Sequence, residues 1–219
     1  MKKDDRAFAV LASDAAIFTV DGADLKILVT KAKSVSFAGT PALPGGLVGF
    51  TETADAATRR ILKTALSVDP AYIEQLYAFD DPKRDPVGRV VSVAFLGLIP
   101  WNKARLSVKG DGRWESVKNL PKLAYDHDLI VKTAVKRLEG KLTYTNIVFG
   151  LIPEEFTLTE LQVIYEAILA RELDKRNFRK KIRALEILKK LNKKRKGEAN
   201  RPAQIYEFKN RVLNTVDIL

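Results

Sequence analysis

Apolar and polar positions divide the 219-residue chain into a strand-rich first part and a helical, increasingly basic second part. In residues 7–30 the apolar positions alternate loosely, with Phe8, Val10 and Ala12 before a break at Ser13-Asp14 and Ile17, Phe18 and Val20 after it. Asp21-Gly22 is a hairpin signal ahead of Leu25, Ile27, Leu28 and Val29, so the chain is expected to open as a β-meander. Residues 35–44 read as a loop punctuated by Gly and Pro, and residues 53–66 place Ala56, Ala57, Arg60, Ile61 and Thr64 at helical spacing. Strands are expected at 71–79 and 89–100, joined by a loop of turn formers, with a last strand at 114–123 that stops at Leu120-Pro121.

Beyond residue 125 the spacing becomes that of helices. Residues 126–138 put Ile130, Val131, Ala134, Val135 and Leu138 on one face and are expected to form a linker helix, after which 140–153 cross to a second domain. Thr157 and Glu160 have the spacing of a capping box, and Leu161, Ile164, Tyr165, Ile168 and Leu169 give the following helix its buried stripe. Asp174 is placed to cap the next helix, residues 175–185. There Arg176, Arg179, Lys180 and Arg183 fall within an arc of about 100°, while Phe178, Ile182 and Leu185 fall within about 60° opposite. Two short strands, 187–191 and 204–208, flank a loop at 192–203 that carries Lys193, Lys194, Arg195, Lys196 and Arg201. Helix, turn, helix and basic hairpin together make a winged helix.

Charge sharpens this picture. The net charge is +11, and in residues 171–201 there are 14 Lys/Arg against four Asp/Glu, so nearly all the excess lies in one window. Such a footprint recruits a polyanion, most simply nucleic acid, with RNA as the alternative to double-stranded DNA; a solvated basic face is the plainer reading of charge taken alone. The absence of acids from the wet face of the second helix favours DNA, whose phosphates and guanine edges suit Lys and Arg. With no cysteine and one histidine, disulfides, zinc fingers, thiol catalysis and histidine-rich metal sites are excluded. The charged start at residues 1–6 leads into no signal-type run, and no apolar stretch approaches the ~20 residues of a membrane span, so a cytoplasmic location is expected.

Residues 46–68 resemble a Nudix box. Gly46, Glu52, Arg60, Leu62 and Val68 match its pattern, whereas Ile61, Thr64, Ala65 and Ser67 stand where it has three glutamates and a second glycine. Holding Mg²⁺ against a pyrophosphate requires several carboxylate oxygens, so the resemblance implies the scaffold without the metal site. No catalytic residue, metal or cofactor is expected; recruitment of Asp80, Asp81 or Asp85 is the alternative. This box, the run 84–94 from Arg84-Asp85-Pro86, and the motifs at 156–162 and 173–181 together resemble the Nudix-related transcriptional regulators along nearly the whole chain.

That resemblance implies an α+β protein: a Nudix-type α/β/α sandwich at 1–125, a linker helix and crossover at 126–150, and a winged-helix DNA-binding domain at 151–219. It further implies a homodimer on a palindromic operator and repression relieved by a small effector, either ADP-ribose or a sugar such as arabinose. The arginine-rich loop tilts the choice toward a phosphorylated ligand, since Arg84 and Arg89 could clamp phosphate with Arg60 assisting. Glu52 and Asp85 complete the polar set, and Phe50 or Phe79 could stack an adenine, although an ion-paired loop and aromatic core packing are the competing readings. His127, Trp101 and Trp114 are expected to pack. Contacts to DNA are expected from Thr157, Lys175, Arg176, Asn177, Arg179, Lys180 and Arg183, and from Lys193, Lys194, Arg195, Lys196 and Arg201 on the wing. The competing function is a working Nudix pyrophosphatase acting on ADP-ribose or a nucleoside diphosphate derivative; a nucleic-acid-binding protein without an effector is a third.

Overall fold

The computed structural model describes residues 8–195 and 202–216. Its first part is a mixed sheet of seven strands. Strand β1 (Val10–Asp21) is the axis of this sheet. It turns at Gly22, whose φ of 59° is open to glycine, into β2 (Asp24–Lys31), and the two pair antiparallel. Along its other edge β1 pairs parallel with β6 (Val90–Leu98), which in turn pairs antiparallel with β5 (Tyr72–Phe79). Short strands β3 (Pro41–Ala42), β4 (Gly45–Leu47) and β7 (Arg113–Ser116) complete the sheet, β4 on the first part of β1 and β3 and β7 on β2.

Both faces of the sheet are covered, which explains the unbroken apolar run in the middle of β1. Ala15, Ile17 and Leu28 face helix α1 (Ala54–Ala65) and the short α2 (Trp101–Ala104), packing with Leu62, Ala65, Leu66 and Ile99. Ala16, Phe18, Ile27 and Val29 face the opposite way, toward helix α3 (His127–Tyr144). This is the expected α/β/α sandwich. Ser13 and Asp14, which read as a break in the sequence, lie inside β1 and are buried, because partners far along the chain satisfy their polar groups. The last expected strand is cut short: β7 gives way to a 3-10 turn at Val117–Asn119.

Helix α3 is six residues longer than its apolar stripe indicates. It continues through Gly140, whose cost in a helix interior is about 1 kcal/mol, because Leu142 beyond it is fully buried. A buried 3-10 turn at Ile147–Gly150 then leads to the second part. There β8 (Phe156–Thr157) precedes helix α4 (Leu158–Leu169), helix α5 (Lys175–Ala184), β9 (Leu188–Arg195) and β10 (Ala203–Phe208), with the strands ordered β8-β10-β9. Helix, turn, helix and hairpin form the winged helix. Thr157 and Glu160 make the full capping box, and Asp174 caps α5 through the Asn177 N–H. Strand β9 extends further than expected, so Lys193, Lys194 and Arg195 stand on a strand and not in a loop.

The two parts share one apolar core. A single cluster runs from Phe18 and Leu96 in the sheet through Ile130 and Leu138 of α3 to Tyr165, Phe178 and Phe208 of the winged helix. Arg211 adds a polar tie across the crossover, donating to the carbonyls of Phe149, Ile152 and Pro153. Leu138→Ala is therefore expected to cost about 2–5 kcal/mol. Denaturant curves followed by the fluorescence of Trp101 and Trp114, both in the first part, should coincide with those followed by far-ultraviolet circular dichroism. Two separated transitions would show that the halves unfold independently.

Candidate functional site

A cavity of about 500 Å³ opens in the sandwich where the end of β2, the β3–β4 segment, the loop after β5 and the start of α3 converge. At its floor Arg84, with its side chain 3% exposed, lies between two carboxylates. Its Nε and Nη2 donate to Asp126 at 3.0 and 2.8 Å, and Nη2 also reaches Asp14 at 3.3 Å. Burial by itself would lower the Arg84 pKa, but Asp126 and Asp14 hold it above its ordinary value. For Asp14, burial pushes upward, yet His127, the Ser92 hydroxyl and Arg84 outweigh it and leave the carboxyl below the usual range. Ser92 donates to Asp14 at 2.6 Å. The Leu43 N–H donates to His127 Nδ1 at 2.9 Å, which leaves the ring proton on Nε2, 3.4 Å from Asp14. Gly45 is required beside this group, because a Cβ there would overlap the Asp14 carboxylate.

Aromatic side chains form one wall. Tyr125 and His127 line the cavity, with ring centroids 5.1 Å apart, and the Phe37 ring centroid lies 4.4 Å from that of Tyr125. Tyr125 holds a left-handed φ of 55°, a conformation that non-glycine residues adopt at a cost of roughly 1–2 kcal/mol.

Of the residues selected from the sequence, Arg60, Arg84 and Asp85 line the cavity. Arg60 is held by the box loop: its Nε and Nη2 donate to the two Glu52 oxygens at 2.6 and 2.7 Å, and Nη2 also donates to the Leu47 carbonyl. Glu52 in turn accepts the Gly49 N–H, and Arg60 first and Gly49 second lower its pKa to about 2. The box glutamate thus braces the loop against α1. Arg89 donates to the Asp80 carbonyl. Phe79 departs from expectation, since it is buried in the core beside Tyr77, and Phe50 is fully exposed outside the cavity lining. The local pattern gave no signal for Asp14, Tyr125 and His127 as cavity residues, because partners such as Arg84 for Asp14 and Leu43 for His127 lie 70 and 84 positions away.

The Mg²⁺ that a Nudix fold brings to mind finds no donor set. Ile61 and Ala65 of α1 are buried and apolar, and the Thr64 hydroxyl donates to the Ile61 carbonyl. Among the described residues no group of three or more His, Asp or Glu side chains is arranged to hold a metal ion. Asp80, Asp81 and Asp85 do not gather: the Asp81 carboxylate accepts the Lys83 N–H and that of Asp85 the Val87 N–H, as turn acceptors do.

The second surface lies on the winged helix. Phe178 and Ile182 anchor α5 in the core, and Lys175, Arg176, Lys180 and Arg183 project around a shallow concavity with Asp174 at its edge. Asn177 lies exposed in the first turn. Arg179 is half-buried: Nη2 donates to the Thr159 hydroxyl at 2.8 Å, and Nε is buried without a partner. Thr157 is engaged through its hydroxyl and its N–H in the capping box. On β9, Lys193 pairs with Glu155 at 2.6 Å and Arg195 pairs with Glu160, which brace the wing against the start of α4. Lys190 and Lys194 are exposed and hold no ion pair among the described residues, and the sequence pattern did not single out Lys190. Lys196 and Arg201 lie outside the described residues. No helix among the described residues is long and apolar enough to cross a membrane.

Comparison with known proteins places this geometry. Residues 148–208 match the family model described as the NrtR DNA-binding winged helix domain. Over 213 residues the chain is 33% identical to the ADPR responsive transcriptional repressor NtrR of Acinetobacter baylyi, covering 94% of this chain and 85% of that protein. The structure of Shewanella oneidensis NrtR complexed with a 27mer DNA superposes with a TM-score of 0.81 at 30% identity, covering 91% of this chain and 93% of that one. The NUDIX domain of the same protein, complexed with ADP ribose, superposes with a TM-score of 0.54 at 28% identity, over 63% of this chain and 94% of that one. An ADP-ribose pyrophosphatase of Methanocaldococcus jannaschii is 36% identical over 118 residues, 53% of this chain and 70% of that protein.

Removing the central guanidinium would strand two carboxylates, so Arg84→Ala is expected to destabilise the fold by about 3–5 kcal/mol. Because the folded Asp14 has a depressed pKa, the native state binds fewer protons there than the unfolded chain. Its stabilisation is complete above about pH 4 and is lost as pH falls through the folded value. Melting temperatures measured from neutral pH into the acid range should fall less steeply for Asp14→Asn than for the unsubstituted chain; equal slopes would rule out this contribution.

Proposed function

The chain belongs to the NrtR-type regulators, in which a Nudix-fold domain is joined to a C-terminal winged helix, and on that premise we propose that it is an ADP-ribose-responsive transcriptional repressor. The observation that carries this reading is the presence in one chain of a cavity of about 500 Å³ and a helix face of Lys175, Arg176, Lys180 and Arg183, with neither a metal donor set at the former nor an ion pair on the latter among the described residues. Helix α5 is the element that enters the major groove. Arg176 and Arg183 have the planar fork that meets a guanine edge, and Lys175, Lys180 and Lys194 supply point charges for phosphates. Asn177 and Arg179 stand along the same helix, and Lys193 and Arg195 position the wing. Two copies related by a two-fold axis would present two such helices to the half-sites of a palindromic operator.

ADP-ribose is favoured over a free pentose, because the cavity is large and bordered by cations and an aromatic wall. Asp126 supplies the route from the cavity to DNA. It stands at the head of α3 and accepts from Arg84 instead of capping the helix with its side chain. A ligand seated against the Arg84–Asp126 pair would change how α3 is held, and α3 ends at the winged helix. Repression is relieved when the ligand-bound arrangement has lower affinity for the operator than the free one.

The pyrophosphatase reading draws on the Methanocaldococcus jannaschii relative. The uncharged α1 positions Ile61, Thr64 and Ala65, and the lock of Glu52 onto Arg60, weigh against it. Incubation with ADP-ribose and Mg²⁺ should yield no turnover at enzyme-like rates; turnover abolished by Glu52→Gln would overturn the assignment.

With DNA selected from the genome of origin, Arg176→Ala should cost about 1–3 kcal/mol of operator affinity and relax specificity. Lys194→Ala should weaken all sequences alike and reduce the salt slope by about one. ADP-ribose should release the operator in a gel-shift titration. Wild-type binding by both variants would refute the interface, and indifference of the complex to ADP-ribose would refute the effector.

A further inference from the structure

The arginines at the cavity cannot by themselves supply the charge a diphosphate needs. Arg84 is held by Asp14 and Asp126, and Arg60 by Glu52 and the Leu47 carbonyl. Arg89 is turned onto the Asp80 carbonyl. What remains is a pair the sequence pattern did not mark. Lys31 ends β2 and Lys33 follows two residues later; both line the cavity and are exposed. Neither ammonium has a hydrogen-bond or ion-pair partner among the described residues.

A smaller concavity of about 170 Å³ continues from the same edge. Lys31, Lys33 and Lys109 border it, and Ile61, Thr64 and Ala65 of α1 form its uncharged wall. Gly45 and Gly46 border the main cavity, so backbone without side chain stands at the junction. The carboxylates nearby are already satisfied: Asp14 by Arg84 and Ser92, Asp85 by the Val87 N–H, and Asp111 by the Lys31 backbone N–H. A divalent cation entering here would meet ammonium groups and no carboxylate cluster. A diphosphate would meet two point charges on flexible stems beside exposed backbone.

We propose that Lys31 and Lys33 form the diphosphate seat of the cavity, and that the ligand is held there without a divalent cation. The proposal rests on the reading that the cavity takes ADP-ribose. Side-chain ammonium groups neutralise the ligand's charge where the fold carries no carboxylates for a metal. Binding should therefore fall with added salt and be insensitive to Mg²⁺.

Isothermal titration of the full chain with ADP-ribose, first in EDTA and then in millimolar Mg²⁺, tests this directly. The affinity should be the same in both, and Lys31→Gln with Lys33→Gln should weaken it by about tenfold or more, with the salt dependence flattened. The melting temperature of the ligand-free double variant should be unchanged, and replacement of both lysines by arginine should restore most of the affinity. Binding that requires Mg²⁺, or a double glutamine variant that binds like the unsubstituted chain, would overturn the seat and leave the ADP-ribose reading standing. If the unsubstituted chain binds no ADP-ribose, the proposed function falls and the seat with it.

Discussion

The Arg84 guanidinium, buried between Asp14 of β1 and Asp126 at the head of α3, ties together three of the elements that line the cavity. A charge removed from water is tolerable only when its donors meet acceptors, so strand, loop and helix must sit where those partners meet. That requirement accounts for much nearby detail: the absence of a side chain at Gly45, the Ser92 hydroxyl on Asp14, the tautomer imposed on His127 and the position of α3. The same requirement removes Arg84 from the supply of free cations, so affinity for an anion must come from elsewhere.

Across the molecule, charges divide into those that brace the fold and those left for a partner. Arg60, Arg84, Lys193 and Arg195 are engaged with carboxylates, whereas Lys31, Lys33, Lys175, Arg176, Lys180 and Lys194 have no ion pair among the described residues. A fixed fork suits Arg to bracing, because two parallel hydrogen bonds to one carboxylate define orientation as well as distance. Residue type alone would have assigned Arg60 and Arg84 to the ligand; their neighbours assign them to the scaffold.

What could be read in the sequence follows the range of the interactions. The capping box of Thr157 and Glu160, the Asp174 cap and the two faces of α5 depend on neighbours three or four positions apart, and all were legible. The apolar stripes of α1 and α4 were legible for the same reason. Asp14 read as a strand break because Arg84 and Ser92, which make it acceptable inside β1, are 70 and 78 residues away. Lys193 and Arg195 read as wing-tip cations because Glu155 and Glu160 are 38 and 35 residues back. The crossover was expected to begin at residue 140, and the burial of Leu142 carried α3 past it.

Helix α3 has a mechanical consequence. It is an unbroken rod of 18 residues, about 27 Å long, with the Arg84 pair at one end and the winged helix beyond the other. A rod with no slack converts rotation at its root into travel at its tip, so a tilt of about 5° moves the far end roughly 2 Å. Displacements too small to notice at the cavity thus arrive at the winged helix, the part proposed to meet DNA, as shifts comparable to a hydrogen bond's length, the scale on which a helix keeps or loses its register in a groove.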